Sequence, residues 1–144
     1  MVTAVDTTVL LDVLVPGSEH GEESEGRLAR AMLAGAIVVC PTVVAELGAH
    51  FSREAELRAF LRDTGLRVDP FGLGSLQLAG QAWKTHRKRR TEVPCPSCGE
   101  RVARPSVLGD FLVGAHAASQ ADQLLTRDRG FYRAHFPKLK LGPI

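Results

Sequence analysis

Short apolar runs recur along this chain, and the stretches between them carry helical spacing, a combination that few folds accommodate. Residues 2–5, 37–40, 66–68 and 124–126 are rich in Val, Ile and Leu and read as buried strands of a parallel sheet. Val9, Leu10, Leu11, Val13 and Leu14 follow the first run as a short apolar helix closed by Pro16 and Gly17. Leu28, Met32 and Leu33 mark an amphipathic helix that stops at Gly35. After the second run, Pro41 and Thr42 signal a helix start, because proline lacks only an amide that the first turn would leave unpaired. Glu46 then falls in an early turn. Ser52 reads as the N-cap of a helix over 53–63, with Gly65 as its stop. A helix over 75–90 puts Leu76, Ala79, Ala82 and Trp83 on one face, and one over 108–119 keeps Leu112, Ala115 and Ser119 in step. Residues 139–141 form a weak last strand. Residues 91–105, which include Pro94, Pro96 and Pro105, read as an irregular insertion.

Alternation of this kind predicts an α/β fold, a central parallel β-sheet flanked by helices in an α/β/α sandwich. At 144 residues, 44% of them hydrophobic, the chain suffices for one core and is too short for two, so 1–144 is expected to be one domain. A formal net charge of +2 argues neither for nor against a polyanionic partner. The distribution is less even: Glu19, Glu22, Glu23 and Glu25 lie near the start, while Lys84, Arg87, Lys88, Arg89 and Arg90 crowd the middle. Three cysteines make a poor disulfide framework and suit a reducing compartment. No basic leader precedes Asp6 and no apolar run approaches a membrane span, so a cytoplasmic protein is expected.

Four acids stand out by position. In an open parallel sheet, ligands bind beyond the carboxyl ends of the strands, where strand order reverses. Asp6 ends the first strand and Asp128 follows the fourth. Glu46 comes soon after the second strand, and Asp110 opens the helix that leads to the fourth. All four are therefore expected at one edge of the sheet. Each alone has a plainer reading: Asp6 as a cap for the next helix, Glu46 on a solvent face, Asp110 as a helix-start charge, Asp128 as a turn residue. Clustered carboxylates raise one another's pKa, and a divalent cation resolves the repulsion. Oxygen-only ligands suit Mg²⁺ or Mn²⁺, which can acidify a water and offset charge on a phosphoryl oxygen. With no Lys or Ser nucleophile evident, hydrolysis of a phosphodiester by activated water fits these residues.

Four blocks carry a family resemblance: Val5-Asp6-Thr7-Thr8-Val9-Leu10-Leu11-Asp12, Pro41-Thr42-Val43-Val44-Ala45-Glu46-Leu47, Asp110-Phe111-Leu112-Val113-Gly114-Ala115-His116-Ala117 and Leu124-Leu125-Thr126-Arg127-Asp128-Arg129-Gly130-Phe131-Tyr132. They run in register over nearly the whole chain and resemble the PIN-domain VapC toxins. The resemblance implies a Mg²⁺-dependent endoribonuclease, often acting on tRNA or rRNA, held in check by a VapB antitoxin and commonly a homodimer. It carries Asp6, Glu46, Asp110 and Asp128 onto the family's acidic positions, with Asp6 and Asp110 as the closest metal ligands and the other two completing the site through water or a second ion. Thr7 and Thr126 match the hydroxyls beside the first and last acids. It also implies an antitoxin segment lying across the apolar helices, with an Arg approaching the acids.

The segment 91–105 departs from that pattern. Cys95 and Cys98 are half of a structural Zn²⁺ site, with His86 within chain reach and Cys40 expected to be buried; the plainer reading is a proline-stiffened loop with two free thiols. The basic stretch 84–90 reads either as a phosphate-contacting rim or as a solvated helix end favoured by the dipole. Trp83 keeps step with Leu76 and Ala79 and reads as core, and His116 is expected to face away from Asp110. Two other functions compete with the nuclease. One is a catalytically weak PIN-like module that binds RNA or protein, against which the clustered acids count. The other is an aspartyl phosphotransfer enzyme, which wants a second acid where Thr8 stands.

Overall fold

A computed structural model describes residues 1–89, 92–95, 97–103 and 108–143. The chain runs β1 (Val2–Val5), α1 (Thr7–Leu14), α2 (Gly21–Ala34), β2 (Ala36–Val39), α3 (Pro41–Gly48), α4 (Glu54–Asp63), β3 (Arg67–Val68), α5 (Leu73–Lys88), β4 (Glu92–Pro94), β5 (Arg101–Ala103), α6 (Leu108–Gln120), β6 (Gln123–Leu125) and α7 (Arg129–His135). Four strands form a parallel sheet in the order β3-β2-β1-β6. Helices flank it, giving the expected α/β sandwich.

The strand order decides where a site can form. From β1 the chain steps outward through β2 to β3, then returns to the other side of β1 as β6. Order therefore reverses at β1, and its carboxyl end opens the crevice where parallel sheets bind ligands. Asp6 stands in that crevice, and its backbone N–H extends the ladder to Leu125 O at 2.9 Å. Beneath it the core is dry. Val5, Val38, Val39 and Leu124 of the strands meet Val9, Leu10, Val43, Leu47 and Phe111 of the helices, all buried. The α2–β2 turn needs Gly35, whose φ of 155° accompanies an approach so close that a Cβ would lie 2.1 Å from Met1 O.

Several expectations need correction. On α2 the buried stripe is Ser24, Arg27, Leu28 and Ala31, while Leu33 is 90% exposed and Met32 44%. That stripe keeps the i, i+3, i+4, i+7 spacing, but two of its members are polar, which hid it from an apolar count. Arg53, not Ser52, caps α4, because Glu56 at the third helical position accepts the Arg53 N–H at 3.2 Å. The described part of 91–105 is an antiparallel hairpin, pairing Val93 with Val102 and turning through Gly99 at φ 76°. Residues 91, 96, 104 and 105 of that segment lie outside the described residues, as does Arg90 of the basic stretch. The final strand reduces to one bridge, Leu124 to Leu141. Helix α7 was not anticipated.

Helix α6 presses on the C-terminal segment at Gly114, where a Cβ would stand 2.4 Å from Cε2 and 2.6 Å from Cδ2 of the buried Phe136 ring. Gly114→Ala is expected to cost about 1–3 kcal/mol in urea unfolding. Adding Phe136→Leu should restore part of that, so the double-mutant cycle departs from additivity. Strict additivity would show that the two are not in close contact.

Candidate active site

All four acids singled out by position reach the carboxyl edge of the sheet. Asp6, 5% exposed, sits at the N-cap position of α1, yet its side chain makes no capping bond into the helix. Its Oδ2 instead accepts the hydroxyls of Thr126 at 2.6 Å and Thr8 at 3.0 Å. Glu46, half-buried on α3, accepts the buried Thr7 hydroxyl through Oε2. Asp110 lies half-buried in the first turn of α6. Asp128 is exposed and caps α7, its Oδ1 accepting the Phe131 N–H at 3.1 Å. Asp128 is thus a helix N-cap rather than only a turn residue, and its charge still acts on the cluster. Thr126 ties the two ends together: its hydroxyl donates to Asp6 and accepts the Asp128 N–H at 3.0 Å.

The electrostatics show that these acids share one field. Burial pushes the Asp6 carboxyl up, the Thr126 and Thr8 hydroxyls and the Thr7 amide pull it partly back, and the Glu46 charge pushes it up again. Asp110 is raised by burial first and then by the charges of Asp6, Glu46 and Asp128. Among the described residues, no cationic side chain offsets these influences on Asp110. Tyr132, buried on α7, has its phenol raised well above the ordinary range by burial and then by Asp6, Asp110 and Asp128. It forms part of the same site and was missed because it falls on the one helix that the sequence reading lacked.

Two other acids near this edge are spent elsewhere. Asp12 is buried and held by Ser18 at 3.2 Å, Ser24 at 2.7 Å and the Arg127 Nε at 2.9 Å. Asp69 follows β3 and accepts from Gln120 Nε2 at 2.9 Å, with His116 Nε2 also at 2.9 Å. His116, 1% exposed, therefore faces away from Asp110, as expected. Trp83 packs against the core, with the Arg87 guanidinium 5.2 Å over its ring. Lys84, Arg87 and Lys88 are exposed and border a cleft of about 560 Å³. The His86 ring lies 5.3 Å from that of Phe111, so this basic helix end stands near the turn that carries Asp110.

The donor chemistry suits a hard divalent cation: several carboxylate oxygens, hydroxyls alongside, and negative charge left without a counter-ion. Among the described residues, no group of three His, Cys, Asp or Glu side chains is already drawn together around a metal position. A cation here would draw the carboxylates in and use coordinated water for part of its shell. Zinc at Cys95 and Cys98 gains no support. Both thiols are free, Cys40 is buried behind β2, and His86 packs on Phe111 and His135.

A family model described as PIN domain matches residues 3–137. No curated protein matches the sequence significantly. Among solved structures, the chain is similar to VapBC-1 from nontypeable Haemophilus influenzae, with a TM-score of 0.67 and 19% identity over 98% of this chain and 96% of that one. It is also similar to VapBC2 from Rickettsia felis bound to a DNA fragment from their promoter, with a TM-score of 0.66, 18% identity, and coverage of 98% and 97%. VapC20 of Mycobacterium tuberculosis, a sarcin-ricin loop cleaving toxin, gives a TM-score of 0.58 and 16% identity over 98% and 99%. At these identities the likeness shows the fold.

Asp6 and Asp110 both titrate above the 3.8 of an ordinary aspartate. Folding therefore favours their protonated forms. The penalty of holding them ionised is complete at neutral pH and fades as pH falls through the raised values toward 3.8. Metal-free protein carrying Asp110→Asn is expected to melt above the unsubstituted protein at neutral pH and to converge on it with acidification. Calorimetry in EDTA measures this, and an unchanged or lower melting temperature at neutral pH would show that Asp110 is not under strain.

Proposed function

The chain belongs to the PIN-domain family, and from that premise we propose that it is a divalent-metal-dependent endoribonuclease, the toxin of a toxin–antitoxin pair. One observation carries the reading: four carboxylates from four separate elements converge at the strand-order switch point, where Asp6, Glu46 and Asp128 all press on Asp110 and no cationic side chain among the described residues offsets them. A domain built only to bind has no use for that repulsion. An enzyme that cuts a polyanion through a cation does.

In this reading Asp6 and Asp110 hold the metal directly, while Glu46 and Asp128 complete its shell through water or a second ion. Bound Mg²⁺ or Mn²⁺ would supply an acidified water and offset charge on the phosphoryl oxygens of an RNA phosphodiester. The protein's own part is orientation. Thr7 fixes Glu46, Thr8 and Thr126 fix the Asp6 carboxylate, and Thr126 couples its position to the Asp128 backbone. Tyr132 closes the inner wall beside three of the acids and keeps its proton there. Among the described residues no helix is long and apolar enough to cross a membrane. The substrate we propose is a cytoplasmic RNA of the tRNA or rRNA class.

The solved neighbours named VapBC motivate the proposed partner, a VapB-type antitoxin; the proposed homodimer rests on the family resemblance alone. The antitoxin segment would lie across the apolar helices and bring an Arg to the carboxylates, where a guanidinium pairs two oxygens at once.

Cleavage of a fluorogenic RNA in Mg²⁺ tests the reading. Asp6→Asn and Asp110→Asn are expected to abolish it, EDTA to stop it, and Mg²⁺ or Mn²⁺ to restore it. Thr126→Val, which frees Asp6 without removing a ligand, should cost about 10–100-fold. Cleavage that persists in EDTA rules the mechanism out.

A further inference from the structure

Beside the carboxylates lies a second cleft, of about 340 Å³, lined by His20, Glu23, Arg27, Thr126, Arg127 and Arg129. Thr126 is the shared wall, since its hydroxyl bonds Asp6 on one side. Two of the arginines are incompletely satisfied. Arg27 is 7% exposed; its Nη2 donates to Glu23, but its Nε has no acceptor. Arg129 donates from Nη1 to Gly142 O at 2.7 Å, and its Nε likewise has none. Arg127 is held by the buried Asp12 at 2.9 Å. Three guanidinium groups thus face two carboxylates, Glu23 and Asp12.

Folded proteins rarely leave a buried N–H without an acceptor, and arginine cannot shed its charge to lower the cost. Glu23 pairs Arg27 and Asp12 pairs Arg127, while Arg129 has no carboxylate partner among the described residues. An anion in the cleft, met by the guanidinium nitrogens that solvent reaches, supplies the missing charge. Arg27 also borders an adjoining cavity of about 330 Å³ that carries Arg30 and Lys140, so the cationic surface continues along the β6 edge of the sheet.

We propose that the Arg27–Arg129 cleft is a subsite for a backbone phosphate flanking the scissile one, guiding the RNA strand away from the carboxylates along β6. The proposal rests on the nuclease reading for its ligand. It assigns Arg27 and Arg129 to substrate positioning, and Arg127, through Asp12, to holding the cleft wall. One flank of the strand then lies on α2 and the segment after β6, opposite the basic end of α5.

The test uses the full chain in two assays. In an Asp6→Asn background, which keeps RNA intact, fluorescence anisotropy follows binding of a labelled single-stranded RNA across a salt series. Arg129→Gln and Arg27→Gln are each expected to weaken binding roughly tenfold and to lower the salt slope by about one. Arg58→Gln, on exposed α4, should change nothing. With Asp6 intact, the arginine variants should raise KM for a long RNA and leave kcat, and they should leave cleavage of a minimal RNA that lacks the flanking phosphate unaltered. Arg27→Lys, which keeps the charge, guards against a folding defect and should retain most of the affinity.

If the variants bind and cut long RNA as well as the unsubstituted chain, the subsite is overturned while the nuclease reading stands. If the arginines prove necessary for RNA binding but no RNA is ever cut, the nuclease reading falls and takes the flanking-phosphate assignment with it, leaving only an RNA-binding cleft. If the variants keep RNA affinity and lose only an acidic protein partner, the cleft is a protein dock and the proposal is wrong.

Discussion

Repulsion among acids at one sheet edge is the constraint around which the rest of the molecule is arranged. Carboxylates that press on one another at a partly buried edge raise one another's pKa, as Asp6, Glu46 and Asp128 do to Asp110, in a fold whose whole net stability is about 5–15 kcal/mol. A cluster of that kind persists only where the backbone cannot retreat. Each acid here is anchored beside buried neighbours: Asp6 after Val5, Glu46 between Val43 and Leu47, Asp110 next to Phe111, Asp128 two residues beyond Thr126. The core thus acts as the fixture that keeps like charges together, and β1, central in the strand order, sets where they meet.

The contrast with two neighbouring acids, Asp12 and Asp69, separates the cluster from the architecture around it. Asp12 is buried to the same degree as Asp6, yet it is matched by two serines and an arginine. Asp69 also follows a strand, and His116 and Gln120 occupy it. Where charge serves the frame, partners surround it. At Asp6 the hydroxyls only soften the cost of ionisation, and at Asp110 every influence pushes the same way. That asymmetry cannot be seen in a list of acids along a chain.

What was legible in the sequence was the placement of elements whose signals are local. β1 has the bounds read from its apolar run, α3 begins at Pro41, and the four acids follow from strand ends in a parallel sheet. What was not legible depends on pairing or on polar residues in buried positions. The inner stripe of α2 includes Ser24 and Arg27, which no apolar count selects. The hairpin of β4 and β5 rests on cross-strand pairs, and the three prolines of the segment 91–105 argued the other way. Helix α7 is seven residues long and is started by Asp128, so the acid that looked like a turn or a ligand is also the cap that brings Tyr132 to the site. The missed helix and the missed tyrosine are one omission.

The arginines and the acids are best understood as one charge distribution. Without a cation, the acids would also repel the phosphates that the proposed arginine subsite would attract, and the two influences would act across the single side chain of Thr126. Any divalent ion that settles among Asp6, Glu46, Asp110 and Asp128 removes the repulsion felt by a strand lying over both regions. By linkage, the strand must then raise affinity for the ion by the same factor that the ion raises affinity for the strand. In the proposed nuclease, the ion and the strand would thus bind with positive cooperativity, each favouring the other at the same sheet edge.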